Sequence, residues 1–242
     1  MNTRPLIAPI ERGEVAGFSV VKDVPSKLPA MVESGDADLG LLPAGYCVTR
    51  PGLALVPGVG IACRGPVRSI LLLTRGDVRE TRTIAATTSS MSSVRLLRVL
   101  LRDHFKQPAE LAAADRPMDC LDRGDADGAL LIGDPALQVE PGNYRTYDLG
   151  EEWFRFTGLP FVFALWAGPD AAIAERAAPG LAQAMRMGRS EIPRISEEAA
   201  EDLDLPAGLC EDYLSNYIIH DVGEAEMAGY DLFRQLTTKE TP

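Results

Sequence analysis

Cysteine, histidine and positive charge are all in short supply in this chain of 242 residues. Cys47, Cys63, Cys120 and Cys210 are scattered, with no C-x-x-C pair. Zinc sites and dithiol redox motifs need close pairs, so both are disfavoured, and reduced, mostly buried thiols are expected. His104 and His220 are too few and too distant for histidine-centred metal chemistry. Lys plus Arg number 24 against 35 Asp plus Glu, a formal charge of −11. Nucleic-acid binders usually show a basic face, so no nucleic acid is expected as a partner. No apolar run approaches the roughly 20 residues of a membrane span, so no membrane is expected either. Met1-Asn2-Thr3-Arg4-Pro5 has no apolar stretch like a secretion signal, and a cytoplasmic location is the expectation. With 46% hydrophobic and 24% charged residues, the chain can bury a core and is not disordered. Its length allows one large domain or two smaller lobes.

Short apolar runs alternate with helical patterns, which means α/β. Ser26–Glu33 reads as a helix ending at Gly35, followed by strands over Ala37–Leu42 and Val56–Ala62. Val67–Thr74 reads as a buried strand and Thr83–Thr87 as another. Val94, Leu97, Leu100, Leu101 and Phe105 fall at helical spacing, with Arg95, Arg98 and Arg102 on the opposite face. Gly128–Ile132 and Leu159–Trp166 read as strands. Beyond Pro169 the pattern is helical to the end, interrupted by Pro179, Pro193 and Pro206.

Gly35-Asp36-Ala37-Asp38-Leu39-Gly40-Leu41-Leu42 is echoed by Gly124-Asp125-Ala126-Asp127-Gly128-Ala129-Leu130-Leu131. Helix–Gly–Asp–strand joints are common in any α/β protein. The sharper reading is two similar lobes, with the turns Pro43-Ala44-Gly45 and Gly133-Asp134-Pro135 facing a cleft, because ligands in open α/β sheets sit beyond the carboxyl ends of strands. Residues 1–73 and 164–242 then form one lobe and 74–163 the other, inserted one. The crossings are expected near Leu73–Arg75 and Phe161–Phe163.

Thr87-Thr88-Ser89-Ser90-Met91-Ser92-Ser93 directly precedes the amphipathic helix. A helix N-terminus offers unpaired N–H groups and partial positive charge, and hydroxyls add donors, so this is a cradle for a carboxylate or phosphate. Ordinary N-capping is the simpler account, but it needs only one hydroxyl. Gly58-Val59-Gly60 begins a G-x-G that Cys63 fails to complete, and no phosphate loop or G-x-S-x-G elbow occurs. Arg64, Gly65, Arg68 and Ser69 cluster in one loop, as solvated residues or as an anion-facing set. Asp134, at a strand's carboxyl end, is a turn former or a ligand contact.

Taken in order, several segments resemble the chorismate dehydratase family of the futalosine route to menaquinone. They are Asn2-Thr3-Arg4-Pro5-Leu6, Val24-Pro25-Ser26-Lys27-Leu28, Gly65-Pro66-Val67-Arg68-Ser69, Thr88 to Ser93, Asp127 to Leu137, Tyr147 to Trp166, Tyr213-Leu214 with Asn216-Tyr217, and Gly223 to Phe233. The resemblance spans nearly the whole chain. It implies a two-lobed, periplasmic-binding-protein type 2-like fold with a ligand cleft between the lobes, used as an enzyme. The implied reaction is loss of water from chorismate to give 3-[(1-carboxyvinyl)oxy]benzoate, with no metal or organic cofactor. Asn2 maps onto the family's substrate-contacting asparagine and Ser90 onto its Ser/Thr turn, so these two are the expected catalytic residues. Arg4, Gly65, Arg68, Ser69, Gly133 and Asp134, with Ser89, Ser92 and Ser93 of the turn, are the expected substrate contacts. The substrate's own enolpyruvyl carboxylate is the implied proton acceptor.

The chain departs from the family's pattern in three ways. Relatives carry more residues before the Asn2 motif, forming a first strand that is missing or shortened here. They commonly carry an Asp and an Arg where this chain has Thr87 and Met91. Without the first strand, an edge or gap in the first lobe is expected, with Thr3–Ile7 running as a strand against Ala37–Leu42. Two other functions compete. A sister enzyme of the same route forms 1,4-dihydroxy-6-naphthoate and is expected to use a histidine, but neither His104 nor His220 lies in a matching motif. A non-catalytic binding protein for a small carboxylate normally needs a secretion signal or lipid anchor.

Overall fold

In the computed structural model of the protein, residues 1–24, 26–87, 90–140 and 142–239 are described. The chain opens with a helix, α1 (Arg4–Glu11), not with the strand expected over Thr3–Ile7. Pro5 sits in the first turn, where a missing N–H costs nothing. Leu6 and Ile10, one turn apart, form the buried face, whereas a strand would bury alternate residues. Helix α2 (Leu28–Ser34) stops on Gly35 at φ 83°, the left-handed cap legible in the sequence.

Among the described residues, nine strands form two sheets. The four-stranded sheet has the order β1 (Gly40–Pro43), β8 (Phe161–Gly168), β2 (Ala54–Cys63), β9 (Ile219–Val222). The five-stranded sheet has the order β5 (Glu110–Ala113), β4 (Thr83–Ala86), β6 (Gly128–Ile132), β3 (Ile70–Thr74), β7 (Arg145–Asp148). Each copy of the Gly-Asp-Ala-Asp echo leads into a different sheet, the first to β1 and the second to β6.

Strand β3 pairs with β6 and β7, Leu72 opposite both Leu130 and Tyr147. It therefore belongs wholly to the second sheet, and the expected boundary at residue 73 falls about one strand too late. The chain leaves the first sheet after Cys63 and enters the second at Ile70; it returns between Thr157 and Phe161. The first crossing is thus 64–69, the loop carrying the Gly65–Ser69 motif, rather than Leu73–Arg75. The second is 158–160 rather than Phe161–Phe163, because β8 pairs with β2 from its first residue, Phe161 opposite Cys63.

Helix α3 (Ala44–Cys47) follows β1, and α4 (Met91–Val99) runs on into a π-helical turn over Leu100–Phe105. Helices α5 (Pro117–Arg123) and α6 (Asp134–Gln138) flank β6, and α7 (Leu149–Thr157) precedes β8. The C-terminal part holds α8 (Ala171–Ser190), α9 (Ile192–Leu203), α10 (Ala207–Asp212) and α11 (Glu224–Thr238), but it is not helical throughout. Strand β9 interrupts it, four residues that add to the edge of β2. Pro179 lies within α8, while Pro193 and Pro206 open α9 and α10. The largest buried side chains meet where α7, β8 and α11 join: Trp153 packs edge-on to Phe161 and Phe233 at ring separations of 5.3 and 6.0 Å.

Candidate functional site

Asn2 lies just ahead of α1, and its position is set by residues from the far end of the chain. Its side-chain Nδ2 donates to the Tyr213 hydroxyl at 3.5 Å, and that hydroxyl donates to Ser69 Oγ at 2.8 Å. The Ser69 carbonyl accepts from the Gly133 N–H at 2.7 Å, and the Met1 amino group lies 3.4 Å from Asp134 Oδ1. Four sequence-predicted residues, Asn2, Ser69, Gly133 and Asp134, are thereby gathered where the first crossing, the start of α6 and the start of the chain converge. Tyr213 is the hub. It is 1% exposed, and burial holds its phenol well above the ordinary range, so it stays protonated and acts as a fixed dipole.

The crossing loop is shaped by backbone geometry. Gly65 has φ 88° and Arg68 φ 61°, a left-handed conformation that side chains other than glycine rarely adopt. Asp148, at the end of β7, clamps it: its carboxylate accepts from the N–H groups of Val67 and Arg68 and from Gly150 and Glu151 at the start of α7. Burial pushes the Asp148 carboxyl up, against the pull of those four donors. The Arg68 guanidinium pairs with Asp212 at 2.9 Å and lies over the Tyr217 ring. A cavity of about 180 Å³ opens beside it, lined by Arg68, Leu71, Ala136, Leu137, Val139 and Asp148. Arg4 is engaged with Asp202 at 2.7 Å, tying the start of the chain to α9.

The serine turn forms a second group. Ser90 is the N-cap of α4: its Oγ accepts from the Ser93 N–H at 3.4 Å and donates to Ser93 Oγ at 2.9 Å. Ser92, 3% exposed, has its hydroxyl committed in both directions, accepting from the Gly45 N–H and donating to the Phe163 carbonyl. Ser92 therefore braces the helix start against α3 and β8. Ser93 is equally buried and faces Ser90. Ser89, with Thr88, lies outside the described residues. The turn Pro43-Ala44-Gly45 meets this serine group, through Gly45, whereas Gly133 meets the Asn2 group.

His220 had no motif to mark it, yet its Nε2 lies 2.8 Å from the Asn2 carbonyl oxygen. Burial lowers its pKa to about 4 from the ordinary 6.5, with the Arg189 charge adding a smaller push. The folded state resists protonation that the unfolded chain accepts. The stability this group contributes is complete above pH 6.5 and is lost as pH falls toward 4, on the order of 3 kcal/mol across that window. His220→Gln should flatten that part of the stability curve. Urea midpoints at pH 7 and pH 4.5 check this, and an equal drop in both proteins would place the sensitivity elsewhere. Among the described residues no three His, Cys, Asp or Glu side chains group as metal ligands, and no helix is long and apolar enough to cross a membrane.

Comparison with known proteins narrows the reading. The model of a family described as menaquinone biosynthesis matches residues 1–239. A chorismate dehydratase of Thermus thermophilus is 30% identical, with 90% of this chain and 86% of that protein covered. A crystal structure of a protein from Archaeoglobus fulgidus superposes with a TM-score of 0.76 at 13% identity, covering 99% of this chain and 94% of the other. The periplasmic aliphatic sulphonate binding protein of Escherichia coli superposes with a TM-score of 0.67 at 16% identity, covering 98% and 82%. At those identities the structural likeness establishes the fold alone, which is of the periplasmic-binding-protein kind.

Proposed function

The chain belongs to the menaquinone biosynthesis family, and from that premise we propose how its geometry serves the dehydration of chorismate. The reaction breaks a ring C–H bond and the neighbouring C–OH bond. Proton and hydroxide leave as water, the ring becomes aromatic, and the enolpyruvyl ether is retained. The protein must hold two carboxylates, orient the ring and assist the leaving hydroxyl.

The observation that supports this reading is the Asn2 amide, tethered through one N–H to a buried Tyr213 hydroxyl that is itself anchored on Ser69. An amide donates hydrogen bonds but is a poor acid, so Asn2 orients the leaving oxygen rather than protonating it. Tyr213 is held as a phenol and the Asp148 carboxylate is occupied by backbone donors. Neither suits the role of base, and the substrate's enolpyruvyl carboxylate takes the ring proton. The units built on the two sheets, 1–63 with 161–239 and 70–157, act as lobes on either side of the substrate. Ser90 and Ser93 at the start of α4 hold a carboxylate. Asp134 would repel a carboxylate and suits a substrate hydroxyl instead. The sister reaction gains no support from His220, whose Nε2 is committed to a backbone carbonyl.

Incubation with chorismate should yield the aromatic enol ether, followed by chromatography. Unchanged chorismate under conditions where the protein is folded would refute the reading. Ser90→Ala separates cradle from cap. A lost hydrogen bond to a charged group costs about 1.5–3 kcal/mol, roughly ten- to a hundredfold in affinity. Loss of a cap alone costs about 1 kcal/mol of stability. We expect the affinity loss, read by titration alongside melting; unchanged affinity removes Ser90 from the site.

A further inference from the structure

The stretch from Tyr213 to Val222 holds Asn2 twice. Tyr213 meets its side chain, and His220, on β9, meets its backbone carbonyl. The residues around Asn2 leave that carbonyl without a local partner. A helix would offer it the N–H of Leu6, and a tighter turn that of the residue in position five. The Leu6 N–H goes instead to the Thr3 carbonyl at 3.0 Å, and residue five is Pro5, which has no N–H. The donor it finds comes from 218 residues away, on a strand whose His220 is itself buried.

The contact is well suited to hold a position. His220 is 2% exposed, and its strand is locked to β2 by pairs such as Val59 with Asp221 and Ala62 with Ile219. A carbonyl only accepts, so Nε2 carries the hydrogen and the ring is one defined tautomer. The side-chain contact of Asn2 to Tyr213 is long at 3.5 Å, while the His220 contact is 2.8 Å. The shorter bond governs where the peptide sits.

We infer that His220 is a positioning residue for the dehydration: its Nε2–H fixes the Asn2 peptide, and so aims the Asn2 amide at the substrate. This rests on the reading of Asn2 as a substrate contact given above. A histidine that merely satisfied a buried carbonyl would affect stability and leave turnover per folded molecule alone. A positioning residue affects kcat, and only while Asn2 is present.

The test is a double-mutant cycle with chorismate as substrate. His220→Leu and His220→Gln are made in the parent and in Asn2→Ala, with kcat, KM and melting temperature measured for each. A misplacement of about 1 Å can cost a factor of 10². His220→Leu is therefore expected to lower kcat by about ten- to a hundredfold, with KM changed less than about threefold. His220→Gln, whose amide N–H reaches near the Nε2 position, should recover most of that loss. In the Asn2→Ala background His, Leu and Gln at position 220 should give equal kcat. If His220→Leu does not fold, His220→Gln against His220→Asn carries the test, since the shorter amide falls short of the carbonyl and only Gln should retain turnover. The inference is overturned if kcat is unchanged by removal of the donor. It is equally overturned if the loss persists in full without Asn2, or if Gln is no better than its non-donating partner. Should Asn2→Ala by itself leave kcat unchanged, the reading of Asn2 falls and takes this inference with it. If Asn2→Ala is impaired and the His220 variants are not, this inference alone falls.

Discussion

Replacing Asn2 with alanine is expected to lower turnover of chorismate about a hundred- to a thousandfold while leaving the melting temperature near that of the parent. The magnitude is that of removing one preorganised donor aimed at developing negative charge. Here the charge develops on the departing hydroxyl oxygen. The amide acts without the cost of reorganisation because its donor group is already placed, on the Tyr213–Ser69 chain in front and the His220 bond behind. Stability should change little. The side chain contributes one long hydrogen bond of 3.5 Å, and its loss leaves Tyr213 still donating to Ser69. Steady-state kinetics with a melting curve on the same sample reads both quantities. Turnover within threefold of the parent would remove Asn2 from the reaction and leave the substrate's carboxylate and the serine turn to carry it.

How much of this was legible beforehand depended on whether the cause was local. The caps at Gly35 and Gly124 were readable because a left-handed helix end demands glycine wherever it occurs. Helix α4 was readable because Val94, Leu97, Leu100, Leu101 and Phe105 repeat a helical period over three turns. Helix α1 was not: eight residues with two prolines show too little period to outweigh an expected strand. Strand β9, four residues long, is shorter than any periodic signal. The site divides the same way. Ser90 as an N-cap follows from its place before a helix. The second bond of Ser92, to the Phe163 carbonyl, depends on how α4 sits against β8. The bonds of Asn2 to Tyr213 and His220 close separations of 211 and 218 residues. No local pattern encodes them, although Pro5 does encode a missing N–H that leaves the Asn2 carbonyl to His220.

Gly188→Ala is expected to produce the largest loss of stability among single methyl additions, and a loss of turnover with it. Helix α8 passes α1 at Gly188 so closely that a Cβ there would lie 1.9 Å from the Pro5 carbonyl oxygen and 2.6 Å from its carbon. Those are backbone atoms of a helix, so no flexible side chain can give way; the helices must separate. Overpacking typically costs 1–3 kcal/mol, and contact with backbone puts this site at the upper end. At about 2–4 °C per kcal/mol for a chain of this size, the melting temperature should fall by about 6–12 °C. The same displacement moves α1, and Asn2 rides on its N-terminal end, so kcat should fall even in the fraction that remains folded. Gly208→Ala is the matched control. It lies within α10, has open space where a Cβ would go, and should be neutral or gain up to about 1 kcal/mol, because alanine suits a helix better than glycine. A Gly188→Ala protein that melts with the parent would mean that α1 does not rest on α8 as described, and that Asn2 is held in place by His220 and Tyr213 alone.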